Sequence, residues 1–132
     1  MQKSCTVAII KDNKLLLLLR GSTAPYNPDK YCLPGGMVDN NESLIDCAIR
    51  ELYEETGVSL NKDQLNELVI KYPSGYKKTI YVYKDDSFNQ PINISWEHSK
   101  YTWADSKTLD YSSTIPNFYR TVNSLVDNGY MI

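Results

Sequence analysis

The residues of this chain best suited to chemistry lie within one short stretch. Glu51, Glu54 and Glu55 stand at i, i+3 and i+4, so on a helix they share one face. Three carboxylates this close repel one another unless a cation neutralises them, and hard oxygen ligands favour Mg²⁺ or Mn²⁺ over softer metals. Arg50 precedes Glu54 by one helical turn and can hold it through a charge-assisted hydrogen bond. Charge is concentrated here: positions 39–67 carry eight acids against two bases, Arg50 and Lys62. An isolated acidic stretch of this kind is more often a solvated face with an Arg–Glu pair. Here Pro34, Gly35 and Gly36 precede it and Gly57 follows it. A glycine turn lets backbone carbonyls approach a cation closely, which a solvated face does not require.

The carboxylates need a helix, and residues 42–56 read as one. Asn40 or Asn41 can cap its start, and Gly57 sits where a C′ glycine belongs. Ile45, Ala48, Ile49 and Leu52 recur at i, i+3, i+4 and i+7 as one apolar stripe. At about 100° per residue, the carboxylate face lies well over a quarter-turn from that stripe. The helix in turn needs a sheet. Residues 6–10 are apolar and rich in β-branched side chains, Asp12 and Asn13 signal a turn, and an apolar run resumes over 15–20. These segments read as an antiparallel hairpin. The run 15–19 is apolar at every position, so its middle is expected to be covered on both faces. Residues 21–30 read as an exposed loop and 61–65 as a connection. Segments 68–72, 79–84, 93–96 and 101–104 read as further strands, with a turn at 73–75. Pro116 opens a final helix to about residue 127, with Phe118, Val122 and Leu125 on one side. Strands on both sides of a central helix, closed by a C-terminal helix, indicate an α+β or sandwich architecture.

Composition narrows the function classes. A chain of 132 residues points to a single domain over 1–132, and 42% hydrophobic with 23% charged residues is ordinary for a soluble globular protein. The net charge of −2 gives no basic footprint for nucleic acid, so no stable nucleic-acid partner is expected. The longest apolar run, 15–19, is far short of the ~20 residues of a membrane helix, so no membrane partner is expected. The N-terminus lacks a signal-peptide core. Cys5, Cys32 and Cys47 cannot all pair and show no CxxC spacing, so a reduced, cytoplasmic setting is the default. His98 is the single histidine, which leaves no room for a multi-histidine metal site. A monomer or homodimer is expected.

Residues 36–58 resemble the box of the Nudix hydrolases, G-x5-E-x7-R-E-U-x-E-E-x-G-U, where U is bulky and aliphatic. All nine defined positions match, from Gly36 through Glu42, Arg50, Glu51, Leu52, Glu54, Glu55 and Gly57 to Val58. The strand ending in Arg20, the entry Leu33-Pro34-Gly35-Gly36, and the run from Trp96 to Trp103 extend the likeness. The resemblance, MutT-like in character, implies an α/β/α sandwich with a mixed central sheet, a catalytic loop-helix-loop and a C-terminal helix. It implies Mg²⁺- or Mn²⁺-dependent hydrolysis of a nucleoside diphosphate linked to another moiety. Glu54 and Glu55 match the principal metal ligands, and Glu51 a further ligand that serves some members as base. The Gly35 carbonyl would complete the coordination. Arg50 matches the orienting arginine, and Glu42 a glutamate that supports the helix through Arg50.

Outside the box the likeness is looser. Glu97 stands six residues before Trp103, the spacing of a glutamate that reaches the metal site in the family's nucleoside-triphosphate hydrolases; otherwise it is an exposed loop residue. His98 beside it is a base or phosphate contact, or structural. Arg20 ends a strand where the family often places a base or phosphate contact, or is surface charge. Asn117 occupies a place like that of a purine-reading asparagine, although an asparagine at a helix start is also ordinary capping chemistry. Tyr26, Tyr31, Tyr76 and Trp103 can stack on a base, but aromatics usually pack first. Cys47, one turn before Glu51, reads as a small helix residue rather than a nucleophile. The substrate cues conflict: Pro73 fits ADP-ribose hydrolases and Tyr76 fits dinucleoside-polyphosphate hydrolases. The small size tilts the expectation to a nucleoside triphosphate. A non-catalytic nucleotide sensor is the alternative of another class, against which the complete set of glutamates argues.

Overall fold

The computed structural model describes residues 3–132; residues 1 and 2, part of the expected domain, lie outside the described residues. Seven strands, β1 (Ser4–Lys11), β2 (Lys14–Arg20), β3 (Tyr31–Cys32), β4 (Gly35–Met37), β5 (Asn66–Lys71), β6 (Lys77–Lys84) and β7 (His98–Ala104), form one sheet. Two helices, α1 (Leu44–Thr56) and α2 (Phe118–Asp127), pack on it. The sheet is mixed: β1 runs parallel to β6, and its other pairings are antiparallel. The expected α/β/α sandwich is what the chain adopts.

The uniformly apolar strands are explained by coverage on both faces. Along β1, Val7 and Ile9 join Cys47, Ala48 and Leu52 in the layer under α1. Ala8 and Ile10 point the other way, into the layer with Phe118, Val122 and Leu125 of α2. On β2, Leu16 faces α1 whereas Leu15 and Leu17 face α2. Period-2 alternation thus feeds two cores at once.

β1 and β2 share only the pairs Ile10–Leu15 and Lys11–Lys14 beside their turn, and then diverge. The edge of β2 away from β7 is taken up by β3, while β4 pairs with β1 through Cys5–Gly36 and Thr6–Gly35. The glycine turn is therefore built into the sheet. Gly35 has to be glycine because a Cβ there would collide with the Cys5 carbonyl.

Three local expectations are corrected. The helix starts at Leu44, not at residue 42, and its cap is Ser43, whose hydroxyl accepts from the Asp46 amide at 3.2 Å. Asn41 is instead spent in a left-handed turn at φ 63°. Gly57 does end the helix, at φ 75°. Segment 93–96 is not a strand. Its backbone is used on the end of α1, where Asn93 N–H donates to Thr56 O at 2.7 Å and Ser95 N–H to Glu55 O at 3.0 Å. A helix end with open carbonyls competes for such donors, and alternation alone does not reveal it. Finally, Cys5 of β1 and Cys47 of α1 form a disulfide. The expectation of reduced thiols fails for this pair, because the fold brings together two side chains that sequence spacing does not relate. Cys32 is free and buried.

Leu52 is fully buried between α1 and the sheet. Leu52→Ala is expected to cost about 2–5 kcal/mol through lost burial and an unfilled cavity. Chemical denaturation measures this; a loss below about 1 kcal/mol would mean that the helix is not docked through this face.

Candidate active site

Arg50 is the centre of the acidic cluster. Its Nε and Nη2 donate to Glu42 Oε2 and Oε1 at 2.8 and 2.9 Å, a two-point fork. Nη1 donates to Glu51 Oε1 at 2.9 Å and to Glu54 Oε2 at 3.2 Å, and Nη2 also reaches the Met37 carbonyl at 3.0 Å. Asp39 adds an ion pair at 3.4 Å. The guanidinium's main partner is therefore Glu42, with Glu54 held more loosely. Glu42, which also accepts from the Asp39 amide, is lowered to about 2 by Arg50 first and that amide second. Arg50 in turn is held firmly protonated, above all by Glu42.

Glu55 is the carboxylate that sequence placed least well. It is only 5% exposed because the buried face of α1 runs through Cys47, Ala48, Leu52, Glu55 and Thr56. That face is rotated from the expected stripe towards the carboxylates, and Ile45 and Ile49 are only half-buried. Glu55 Oε1 accepts from the Gly35 amide at 2.8 Å. Burial pushes its carboxyl up to about 8, with Glu51 and Glu97 adding to the rise. Glu51 is also raised, first by burial, despite Arg50. Gly36 lies against Glu51 so closely that a Cβ would run into the carboxylate.

Glu97, about forty residues away in sequence, does reach this cluster. The tether of residues 93–95 to the end of α1 brings its loop alongside, and its carbonyl accepts from the Gly21 amide at 3.2 Å. Its charge acts on both Glu51 and Glu55. Glu97 is exposed and stands just before β7. His98 is the first residue of β7, opposite Arg20. It is 8% exposed, burial lowers its pKa, and its Nδ1 has no hydrogen-bond partner.

Two cavities meet at Arg20, Gly35 and Gly36. The larger, about 540 Å³, is lined by Glu51, Glu54, Glu55, Glu97, His98 and Asp39 among others. The smaller, about 210 Å³, lies between the sheet and the start of α2, and no carboxylate lines it. Asn117 lines the smaller cavity and is the N-cap of α2 at φ 64°, but its side chain makes no capping bond. Arg20 borders both cavities, its Nε donating to the Tyr26 carbonyl at 2.8 Å. Of the aromatics singled out from sequence, Tyr31 packs against the α2 core, and Trp103 against the α1 core beside Phe88. Neither Pro73, Tyr26 nor Tyr76 lines either cavity; Tyr72 and Trp96 do. Sequence reading also passed over Asp39 and Lys78. Asp39 was visible only as one of eight acids. Lys78 had a usable signal, since it shares period-2 spacing with the apolar Ile80 and Val82.

The carboxylates of Glu51, Glu54, Glu55 and Glu97 that line the larger cavity are all-oxygen donors and suit a hard divalent cation. Among the described residues no three acidic, His or Cys side chains are gathered tightly enough to enclose an ion; Arg50 engages Glu51 and Glu54. Glu55 is raised first by burial and then by the neighbouring Glu51 and Glu97 carboxylates, and a cation beside it would favour its charged form.

Comparisons with known proteins agree with this geometry. A family model described as the NUDIX domain matches residues 1–122. The m7GpppN-mRNA hydrolase of Bos taurus is 34% identical over 98 residues, 72% of this chain and 28% of that protein. The chain spans between 18% and 28% of the length of the first curated relatives. The MutT protein from Methanosarcina mazei Go1 superposes with a TM-score of 0.71 at 25% identity, over 96% of this chain and 94% of that one. A bifunctional NMN adenylyltransferase/ADP-ribose pyrophosphatase from Francisella tularensis, complexed with AMP and a Mn ion, shares the fold. Its TM-score is 0.75 at 22% identity, over 95% of this chain and 41% of that one.

Glu55 gives a pH signature with a definite sign. Its folded-state pKa of about 8 lies above the ordinary 4.5, so between those values the folded protein holds the extra proton. Its stabilising contribution is present below pH 4.5 and is lost as pH rises through 8. In chelator, wild-type stability should fall relative to Glu55→Gln across that window, and Mg²⁺ should reduce the difference. Melting curves of both proteins from pH 5 to 9 check this; parallel curves would show that Glu55 titrates normally.

Proposed function

The chain belongs to the Nudix family and is a Nudix hydrolase, and from that premise we propose that it is a Mg²⁺- or Mn²⁺-dependent pyrophosphohydrolase of a nucleoside triphosphate, working as a single domain over residues 1–132. The observation that carries this reading is the pair of cavities joined at Arg20, Gly35 and Gly36. The larger one is acidic and suits a cation-bound phosphate chain. The smaller one lacks carboxylates and suits one heterocyclic base. The net charge of −2 supports a free nucleotide over an RNA as substrate.

Bound Mg²⁺ or Mn²⁺ would neutralise phosphate charge and lower the pKa of the attacking water. Glu54, Glu55 and Glu51, with the Gly35 carbonyl, would hold the cation, and Glu97 would join them as a ligand or act as the base for the attacking water. Arg50 acts through its partners, keeping Glu51 and Glu54 oriented while Glu42 anchors it. Arg20 contacts phosphate oxygens, with His98 beside it in the wall of the larger cavity. Asn117, free of capping duty, pairs with a base edge. Positioning and electrostatics carry most of such a reaction.

One observation favours a second reading. Trp96, 91% exposed, borders the larger cavity and would stack on a second ring, as an ADP-ribose or dinucleoside-polyphosphate substrate could present. A panel of nucleoside triphosphates, ADP-ribose and dinucleoside polyphosphates, assayed with Mg²⁺ for product release, separates the readings. Turnover of triphosphates is expected, with loss in excess chelator; undiminished turnover in chelator sinks the metal assignment. Absence of turnover on every member would favour a nucleotide sensor instead.

Glu54→Gln removes one ligand charge and keeps the shape, so kcat should fall roughly 10²-fold or more. A near-wild-type rate would mean that the wrong carboxylate has been assigned. Glu97→Gln should lower kcat with little change in KM and remove the acidic limb of the pH–rate profile. An unimpaired kcat in that variant would move the base to Glu51 or His98.

A further inference from the structure

Lys78 is the one cation of the smaller cavity besides Arg20, and it occupies an unusual place. It precedes Ile80 and Val82 of β6 in steps of two, and both of those belong to the core under α2. Alternation puts Lys78 on the same inward face. The side chain is half-buried, and among the described residues no carboxylate pairs with it. Its electrostatic neighbour is Cys32. Burial pushes that thiol up to about 11, so at neutral pH it supplies no counter-charge. A position that extends an apolar row would be filled more cheaply by Met or Leu, since burying a charged group without a partner is costly.

The surrounding groups indicate the missing partner. Lys78 offers donors and, when protonated, no acceptor. Asn117 and Thr121 at the start of α2 also line the cavity, and Arg20 closes the side towards the acidic cavity. Phosphates belong on that acidic side with the cation. What enters the smaller cavity is the far end of the nucleotide. Its volume of about 210 Å³ suits a small group such as one base. Guanine, uracil and thymine present an exocyclic carbonyl where adenine and cytosine present an amine, itself a donor. The Lys78 amine satisfies the first group and finds no acceptor in the exocyclic amine of the second, whereas Asn117 and Thr121 can donate or accept.

We propose that Lys78 is a specificity-determining residue: its side-chain amine donates to the exocyclic carbonyl of a keto base, so the site favours guanine and uracil or thymine nucleotides over adenine and cytosine ones. This rests on the smaller cavity being the base pocket of the proposed nucleotide hydrolase.

Binding of nucleoside monophosphates tests it without requiring hydrolysis. Calorimetric titration of GMP, UMP, AMP and CMP in Mg²⁺ should give the wild type roughly tenfold tighter binding of GMP and UMP than of AMP and CMP. Lys78→Met keeps the length and removes the donor, and should bring all four within about threefold of one another by weakening the keto pair. Lys78→Arg should retain the preference. Three outcomes overturn the proposal: equal wild-type affinities, a preference that survives Lys78→Met, or no binding of any of the four. The wild-type ranking decides even if Lys78→Met does not fold. Lack of triphosphate cleavage in the nucleotide panel, by contrast, would remove the proposed activity while leaving this binding test intact.

Discussion

The site depends on one guanidinium. Glu42, Glu51, Glu54 and Asp39 all converge on Arg50, and without it these carboxylates would repel one another at the start and along the side of one helix. A lysine could supply the charge but not the arrangement. Only a planar fork can grip both oxygens of Glu42 while another nitrogen spans Glu51 and Glu54. The Met37 carbonyl on the same nitrogen as Glu42 ties the loop before α1 to the helix itself. The loop, the helix and the glutamates are therefore a single electrostatic unit.

That unit has to be pressed against the sheet, and the sheet opens to receive it. Because β1 and β2 diverge after two pairs, β3 and β4 bring Gly35 and Gly36 up to Glu55 and Glu51. At Gly35 a side chain would strike the backbone of Cys5, and at Gly36 it would displace the Glu51 carboxylate. The disulfide between Cys5 and Cys47 joins the same two layers, linking β1, opposite Gly36, to the turn of α1 before Glu51. Glu55 lies on the inward face of the helix, and its raised carboxyl is the cost of that placement.

The other side of the site is carried by backbone bonds. The open carbonyls of Glu55 and Thr56 capture the amides of Ser95 and Asn93, and this brings Glu97 and His98 next to the glutamates of α1. Helix end and loop thus share their hydrogen bonds, and the loop gains a fixed position without being part of the sheet. The same geometry divides the space beyond Arg20 into an acidic cavity and a carboxylate-free one.

Much of this was legible in the sequence, for physical reasons. The box from Gly36 to Val58 is local: helical spacing alone puts Glu51, Glu54 and Arg50 within reach of one another, and the glycines mark the turn before the helix and its end. The doubly apolar β2 run required a layer on each face, and two layers are present. Other features depended on long-range contacts that no spacing encodes. The alternation at 93–96 imitates a strand, but the α1 carbonyls took its donors. The inward turn of Glu55 depends on the sheet and Gly35, the Cys5–Cys47 pair on the docking of α1, and the isolation of Lys78 on α2 closing over β6. Sequence determined which groups could act together on one helix; tertiary structure decided which of them are buried, because burial is set by the layer packed opposite and not by the neighbours along the chain.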